Sequence, residues 1–271
     1  MSDVSTTGAS PLRPIPASTV VFEHQGHCGI ITLNRPAARN AIDGDMADSI
    51  ERCIDQIESR DDLWIGILAA TPPVFCAGAD LKATKSGAGK SLFTKRGGFA
   101  GITRRERSKP LIAAVDGAAL AGGTEIVLAC DLVVASRRSS FGLPEARRSL
   151  VASGGGLFRL PRKIPFNIAM EMAMTADRID ADRAHQFGFV NRLCSDGQAV
   201  STAIALAERI CANAPIAVRE SRKIVLDASL AEDEVAWQLS KEGLGRAIAT
   251  SDYMEGLNAF IEKRSPIWNA R

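Results

Sequence analysis

The chain has 271 residues, 46% of them hydrophobic and 24% charged, with a formal net charge of +2. That supplies one substantial core with a smaller satellite domain and excludes a chain disordered throughout, while the near-balanced charge speaks against a polyanion partner. No segment offers the roughly 18 uninterrupted apolar residues of a membrane helix, so a soluble protein is expected.

Residues 1–18 are rich in Ser, Thr, Gly and Pro and lack both the apolar run of a signal peptide and the Arg-rich pattern of a transit helix, which predicts a loose tail on a cytoplasmic protein. The runs 19–23 and 29–33, parted by Gln25-Gly26, read as a hairpin closed by Asn34-Arg35-Pro36. Asp43 suits the N-cap of a helix reaching about Arg60, in which Met46, Ile50, Ile54 and Ile57 recur at helical spacing and form a core stripe. Residues 63–70 are almost wholly apolar, the pattern of a strand covered on both faces.

Just beyond, Gly78 permits a backbone conformation that other residues resist and turns the Ala79 N–H toward a ligand. Residues 85–101, rich in Gly, Lys and Ser, are expected to be mobile. Gly89-Lys90-Ser91 hints at a phosphate loop, but Thr84 stands five residues before Gly89 where the motif needs glycine, and no strand precedes it.

Residues 111–145 concentrate the chemistry. Leu111–Val115 reads as a strand, Asp116-Gly117 as a turn, Gly122 to about Ala129 as a glycine-opened helix and Leu132–Ala135 as a buried strand, followed by Glu145 after Pro144. At the mouth of that helix, around Gly122-Gly123, backbone N–H groups have no intrahelical acceptor and the helix dipole favours an anion. Glu125 lies one turn further in, on an otherwise apolar helix, where a carboxylate must be paired, hydrogen-bonded or protonated.

After the glycine run 154–156, helices are expected at 166–175 and 182–187 and a strand at 190–193. From residue 199 only helical patterns follow: one carrying Ile204, Ala207, Ile210 and Cys211, then 215–228, 232–249 and 252–263. The organisation is thus a tail over 1–18, a core domain over 19–198 and a helical C-terminal domain over 199–271. The six cysteines show no Cys-x-x-Cys and no neighbouring His cluster, so reduced core thiols are expected rather than a metal site or a disulfide framework.

The motifs Asn34-Arg-Pro with Asn40-Ala41, Phe75-Cys-Ala-Gly-Ala-Asp-Leu-Lys82, Ala114-Val-Asp-Gly117 through Ala121-Gly-Gly-Thr-Glu125, Cys130-Asp131 and Phe141-Gly-Leu-Pro-Glu145 occur in that order. Together they resemble the enoyl-CoA hydratase/isomerase (crotonase) superfamily. The resemblance implies an α/β fold, a crotonase-like spiral of repeated ββα units with a C-terminal helical domain that builds a homo-oligomer, a trimer or a dimer of trimers. It implies an acyl-CoA thioester as the small-molecule partner and no metal or redox cofactor. The residues matching the oxyanion-hole positions are Ala79 and Gly122, and those matching the catalytic pair are Glu125, as base toward water, and Glu145, as proton donor to the α-carbon. Arg39, Ala41, Ala77, Ala79, Asp80, Leu81, Lys82 and Gly122 match the CoA-thioester site, and the resemblance brings Phe260 and Lys263 toward the CoA end, sometimes across a subunit boundary. Asp80 and Asp131 carry side chains expected to be structural.

The chain departs from the hydratase pattern at Ala121, where many members have a glycine, a change expected to be mild. It also departs at Leu143, where many have Gln, and at Ser153, where they have glycine. The run from Glu145 to Arg162 looks closer to carnitinyl-CoA dehydratase-like and bacterial hydratase-like members than to the mammalian short-chain type. An isomerase using one carboxylate, or a non-catalytic acyl-CoA binder, would share the scaffold. Nucleic-acid binding is disfavoured because the paired arginines are short, interrupted by acids and not interleaved with aromatics. Only His24, His27 and His185 are present, with no Gly-x-Ser-x-Gly elbow, so a hydrolase triad is not expected.

Overall fold

A computed structural model describes residues 18–229 and 231–270. The expectation of a loose tail therefore falls almost entirely outside the described residues.

The hairpin is β1 (Val20–Gln25) and β2 (Cys28–Leu33), paired antiparallel. Helix α1 (Gly44–Ser59) follows, its first turn capped by Asp43, which accepts the Met46 N–H at 3.0 Å. Its stripe of Met46, Ile50, Ile54 and Ile57 is buried as expected. Then come β3 (Ile65–Ala70), β4 (Val74–Cys76), α2 (Leu81–Lys85), the short β5 (Phe93–Thr94) and β6 (Gly98–Phe99), β7 (Leu111–Val115), β8 (Ala118–Leu120), α3 (Gly122–Leu128), β9 (Leu132–Ser136) and β10 (Ser140–Gly142). The remainder is α4 (Gly156–Arg159), α5 (Phe166–Thr175), β11 (Arg178–Asp180), α6 (Ala181–Gln186), β12 (Arg192–Cys194), α7 (Ala199–Cys211), α8 (Pro215–Ala228), α9 (Asp233–Ile248) and α10 (Ser251–Glu262).

While β5 and β6 form a small pair of their own, the pairs β3 and β4, β7 and β8, and β9 and β10 each divide between two sheets. One has the order β1-β2-β3-β7-β9-β12 and is parallel beyond the hairpin; the other has the order β11-β10-β8-β4, with β4, β8 and β10 parallel. Each pass of the chain places one strand in the large sheet and one in the small, then returns through helical structure. This is the expected spiral. The small sheet is absent from the sequence reading, since its strands are three residues long and too short to display an alternating pattern.

Alternation across the large sheet explains why its strands are apolar throughout. Leu68 of β3, Ala113 and Val115 of β7 and Val133 of β9 face the core between the sheets and α1. Ile65, Ile67 and Ala69, with Ile112, Ala114 and Val134, face the other way onto Ala199, Ala203 and Ala207 of α7. Three alanines at four-residue spacing give α7 a flat face that approaches the sheet closely. The helix at which the C-terminal domain was expected to begin thus completes the core by packing, and the helices that leave the sheet start at α8.

Within the stretch expected to be mobile, residues 92–101 are anchored to the core and to α1. Leu92, Phe99 and Ala100 are buried, and Glu51 of α1 accepts hydrogen bonds from the Gly97 N–H and the Thr94 hydroxyl. Arg96 pairs with Glu51 and Asp55. The apolar residues of this stretch are too sparse to show a period, and their partners lie some forty residues away on α1.

Candidate active site

The carboxyl ends of the parallel strands β4, β8 and β10 lead to Gly78-Ala79, to Gly122 and to Glu145, so the spiral brings three distant stretches to one edge of the small sheet. Open α/β sheets gather ligand sites at such an edge.

Two backbone donors stand there without acceptors. The Gly78 carbonyl accepts the Ile42 N–H (2.8 Å) and the Asp80 N–H donates to the Ile42 carbonyl (2.8 Å). In the trans peptide that joins Gly78 to Ala79, the N–H of Ala79 therefore points away from Ile42. Gly78 has φ +92°, and a Cβ there would sit 3.0 Å from the Gly122 nitrogen. Glycine is thus required for backbone approach as well as for conformation. The Ala121 carbonyl accepts the N–H groups of Thr124 (2.9 Å) and Glu125 (3.2 Å), which directs the Gly122 N–H outward from the helix. Among the described residues neither the Ala79 nor the Gly122 N–H has a partner.

The Gly122-Gly123 pair also has a steric origin. A Cβ on Gly122 would lie 2.4 Å from the Phe99 ring, and one on Gly123 2.2 Å from the Cys76 carbonyl oxygen. Ala121 adopts φ +54°, ψ −127°, so the replacement of glycine here is not the mild change expected: an L side chain is held in a region that favours glycine. Thr124 anchors the same turn, its hydroxyl lying 2.7 Å from the Ala119 carbonyl and accepting the Gly142 N–H at 3.1 Å.

Glu125 is 4% exposed and survives burial through backbone donors. Gly156 donates its N–H to Oε1 at 2.9 Å, and Gly154 contributes another N–H. Burial pushes the carboxyl above its ordinary range, opposed by those N–H groups and by the Arg159 charge. A Cβ on Gly154 would lie 2.5 Å from Oε2, and one on Gly156 3.1 Å from Oε1, so the glycine run exists because a carboxylate rests on it. The sequence reading missed this role, although three consecutive glycines after the second acid were its signal.

Glu145 lies in a 3₁₀ turn, Pro144–Arg148, and its Oε2 is buried with no hydrogen-bond partner. Burial first, and then the charge of Glu125, push its carboxyl up to about 7. Glu125, cradled by N–H donors, and Glu145, with Oε2 unpartnered and the Glu125 charge beside it, have their protonation states driven apart. Leu143 packs its methyls against Gly156, and Ser153 is exposed.

Of the other matched positions, Arg39, Ala41, Ala77, Ala79 and Asp80 come together on two neighbouring segments, tied by the Ala77 N–H to the Arg39 carbonyl (3.1 Å) and by the Ile42 bridge. Leu81 and Lys82 open α2 beside them and are exposed. The Asp80 side chain is structural: it caps α2 through the Lys82 N–H (2.9 Å) and takes Arg35 at 2.8 Å, which holds its carboxyl below the usual range. Asp131 is likewise structural, paired with Arg107 at 3.0 Å and Arg222 at 2.9 Å. Phe260 and Lys263 stand exposed at the end of α10, and among the described residues no hydrogen bond or ion pair joins them to the segments above.

Surface concavities of about 540 and 300 Å³ lie elsewhere, one lined by Arg137, Arg138 and Arg178, the other by Trp64 and Trp268. The candidate site is marked instead by unpaired donors, the buried Glu125 and the half-buried Glu145. Among the described residues no group of three or more His, Cys, Asp or Glu side chains is arranged to hold a metal ion, and no helix is long and apolar enough to cross a membrane.

A two-sheet spiral whose small-sheet edge gathers free amides, a buried Glu125 and a half-buried Glu145 is the architecture of a crotonase-type enzyme. Residues 23–271 match the family model described as Enoyl-CoA hydratase/isomerase, and the chain belongs to that family. It is 37% identical over 258 residues to the enoyl-CoA hydratase EchA19 of Mycobacterium tuberculosis, covering 93% of this chain and 96% of that one. It is also 37% identical over 247 residues to the carnitinyl-CoA dehydratase of Proteus mirabilis, covering 89% and 94%. The crystal structure of the enoyl-CoA hydratase EchA1 from Mycobacterium marinum superposes with a TM-score of 0.91 at 43% identity, over 94% of this chain and 100% of that one.

Proposed function

We propose that this protein is an enoyl-CoA hydratase, adding water syn across the double bond of a 2-enoyl-CoA thioester and reversibly giving the 3-hydroxyacyl-CoA. The observation that carries this reading is the pairing of a cradled, buried Glu125 with a bare Glu145 at the edge where the Ala79 and Gly122 N–H groups are free.

In this reaction Glu125 takes a proton from water as the water oxygen bonds to the β-carbon. Electrons of the double bond move onto the thioester oxygen, which the two N–H groups receive, each preorganised donor being worth roughly 2.7–4 kcal/mol. Glu145, protonated near neutrality, then delivers its proton to the α-carbon on the same face, and the proton gained by Glu125 restores the pair. The main chain at Ala41, Ala77, Asp80 and Leu81 would line the thioester end, with Arg39 and Lys82 toward the CoA phosphates. Phe260 and Lys263 would serve the CoA end from a neighbouring subunit. No metal or redox cofactor enters the chemistry, and we place the enzyme in the cytoplasm with no nucleic-acid or membrane partner.

The test is turnover of a panel of 2-enoyl-CoA thioesters, followed by loss of the conjugated absorbance. Glu125→Gln and Glu145→Gln should each cut turnover by at least about a hundredfold while acyl-CoA binding persists. Binding lost together with turnover would assign the two acids a structural job.

A second reading is favoured by the similarity to carnitinyl-CoA dehydratase: in this reading Glu125 and Glu145 would work on a carnitinyl-CoA thioester. Loss of water from carnitinyl-CoA in preference to straight-chain 3-hydroxyacyl-CoA substrates would select it. Conversion of 3-enoyl-CoA without water uptake would instead select an isomerase.

We further propose a homo-oligomer, a trimer or a dimer of trimers, assembled through the C-terminal helices. Trp237, Leu244 and Ile248 form an exposed apolar face on α9, with Phe260 and Ile261 exposed on α10. Light scattering that returned the 28.8 kDa of a single chain would overturn this.

A further inference from the structure

Two glutamates in one site serve as base and acid only if something decides which of them is ionised. The elements packed on α3 are β8, β4 and α4. Strand β8 has no titratable side chain, β4 offers only the buried thiol of Cys76, and the Pro144–Arg148 turn offers Glu145 with Arg147 and Arg148. Arg162 and Lys163 follow α4, and Cys130, Asp131 and Arg107 lie beyond the other end of α3, with Asp131 and Arg107 paired to each other. Among these only Arg159, the last residue of α4, acts on Glu125 as a charge.

Its placement is unusual for an arginine. The guanidinium is about half-buried, and among the described residues no carboxylate forms a salt bridge to it. A buried cation without a paired anion is costly and persists where its hydrogen bonds and a nearby charge offset the loss of water. Arg159 donates Nη1 to the Gly154 carbonyl at 3.2 Å and Nη2 to the Thr103 carbonyl at 2.6 Å. Gly154 begins the glycine run on which the Glu125 carboxylate rests. Thr103 is bonded through its N–H to the Phe99 carbonyl, and the Phe99 ring abuts Gly122. One fork therefore joins the donors that hold the carboxylate to the turn that walls the free Gly122 N–H, with the Phe158 ring beneath it at 4.9 Å.

We propose that Arg159 is a positioning residue that makes Glu125, rather than Glu145, the base of the pair, by fixing the Gly154–Gly156 donors and by placing a positive charge against the backbone on which that carboxylate rests. This rests on the hydratase reading given above. Charge and fork are separable: Lys keeps the first and loses the planar two-carbonyl geometry, while Met keeps the length and loses both.

The experiment is the pH dependence of kcat/KM for hydration by wild type, Arg159→Lys and Arg159→Met, with a 13C-glutamate carboxyl titration by NMR in parallel. Removing the positive charge disfavours ionised Glu125, so the ascending acid limb in Arg159→Met should move to higher pH by at least about half a unit, narrowing the bell and lowering kcat about tenfold or more. Arg159→Lys should keep the limb near its wild-type position while losing kcat. A Met limb that overlays wild type overturns the proposal, as does an unmoved Glu125 titration. Should Arg159→Met not fold, Arg159→Lys decides by the same split: a moved limb, or unchanged kcat, overturns the proposal. If wild type hydrates no 2-enoyl-CoA, the hydratase reading fails, and the NMR midpoint of Glu125 in the variants still decides the role of Arg159.

Discussion

The backbone N–H of Gly156 donates to Oε1 of Glu125 across 2.9 Å, joining residues 31 positions apart in the chain. The carboxylate is held by a loop rather than by a side chain, and that loop has no room for a side chain of its own.

Gly154→Ala should therefore act on the acid it supports. Gly154 has no positive φ, so alanine strains the carboxylate and not the backbone: its Cβ would come within 2.5 Å of Oε2. Turnover should fall by on the order of a hundredfold, the cost of displacing a reacting group by about an ångström. Acyl-CoA affinity should change little. Unchanged kcat in a folded Gly154→Ala protein would show that the carboxylate does not need this support.

The pH dependence of stability follows from Glu145. Its carboxyl titrates at about 7 in the folded protein, against 4.5 for an unperturbed glutamate. A raised value means that the folded state keeps the proton after the unfolded chain has released it. The contribution is thus fully present below pH 4.5 and is lost as pH rises through about 7, by up to roughly 3 kcal/mol. Glu145→Gln should remove this slope, so that in urea unfolding the variant gains on wild type between pH 5 and pH 8. Parallel curves for the two proteins would contradict the burial assigned to Oε2.

Relief of strain at Ala121 should be measurable. A residue in this region costs on the order of 1–3 kcal/mol, while glycine gives back about 0.4–1 kcal/mol through the unfolded chain. Ala121→Gly should raise Tm by about 2–4 °C. Ala121→Val, β-branched at a positive φ, should lower it.

Asp131→Asn should be a folding defect without a catalytic signature. Burial alone would raise the Asp131 carboxyl, but the charges of Arg107 and Arg222 outweigh it and hold the group below its usual range. The stability it contributes is present above the unfolded value and is lost as pH falls through the folded one. Leaving two largely buried guanidinium groups facing a neutral amide should cost on the order of 3–5 kcal/mol by chemical denaturation. The kcat of the surviving folded fraction should equal wild type.

Much of the scaffold could be read from local pattern. The Asp43 cap, the α1 stripe and the apolar β3, β7 and β9 depend on residues within a few positions of one another, so propensity and periodicity reveal them. The Gly122–Glu125 turn was visible for the same reason, because a charged residue inside an apolar helix breaks the pattern. The strands of the small sheet could not be read, nor could the anchoring of residues 94–97 to Glu51, since three-residue strands carry no period and their partners are remote.

Residue order by itself determined the alternation of apolar strands with glycine-opened helices, and with it the family, two acids and two free amides. Tertiary structure alone decided that the glycine run 154–156 cradles Glu125, that Oε2 of Glu145 is left without a partner, that Ala121 is strained and that Arg159 bonds the glycine run under Glu125. Each of these is a contact between segments that become neighbours only after the spiral closes. A carboxylate's protonation depends on which dipoles and charges surround it in space, and the linear sequence does not contain those distances.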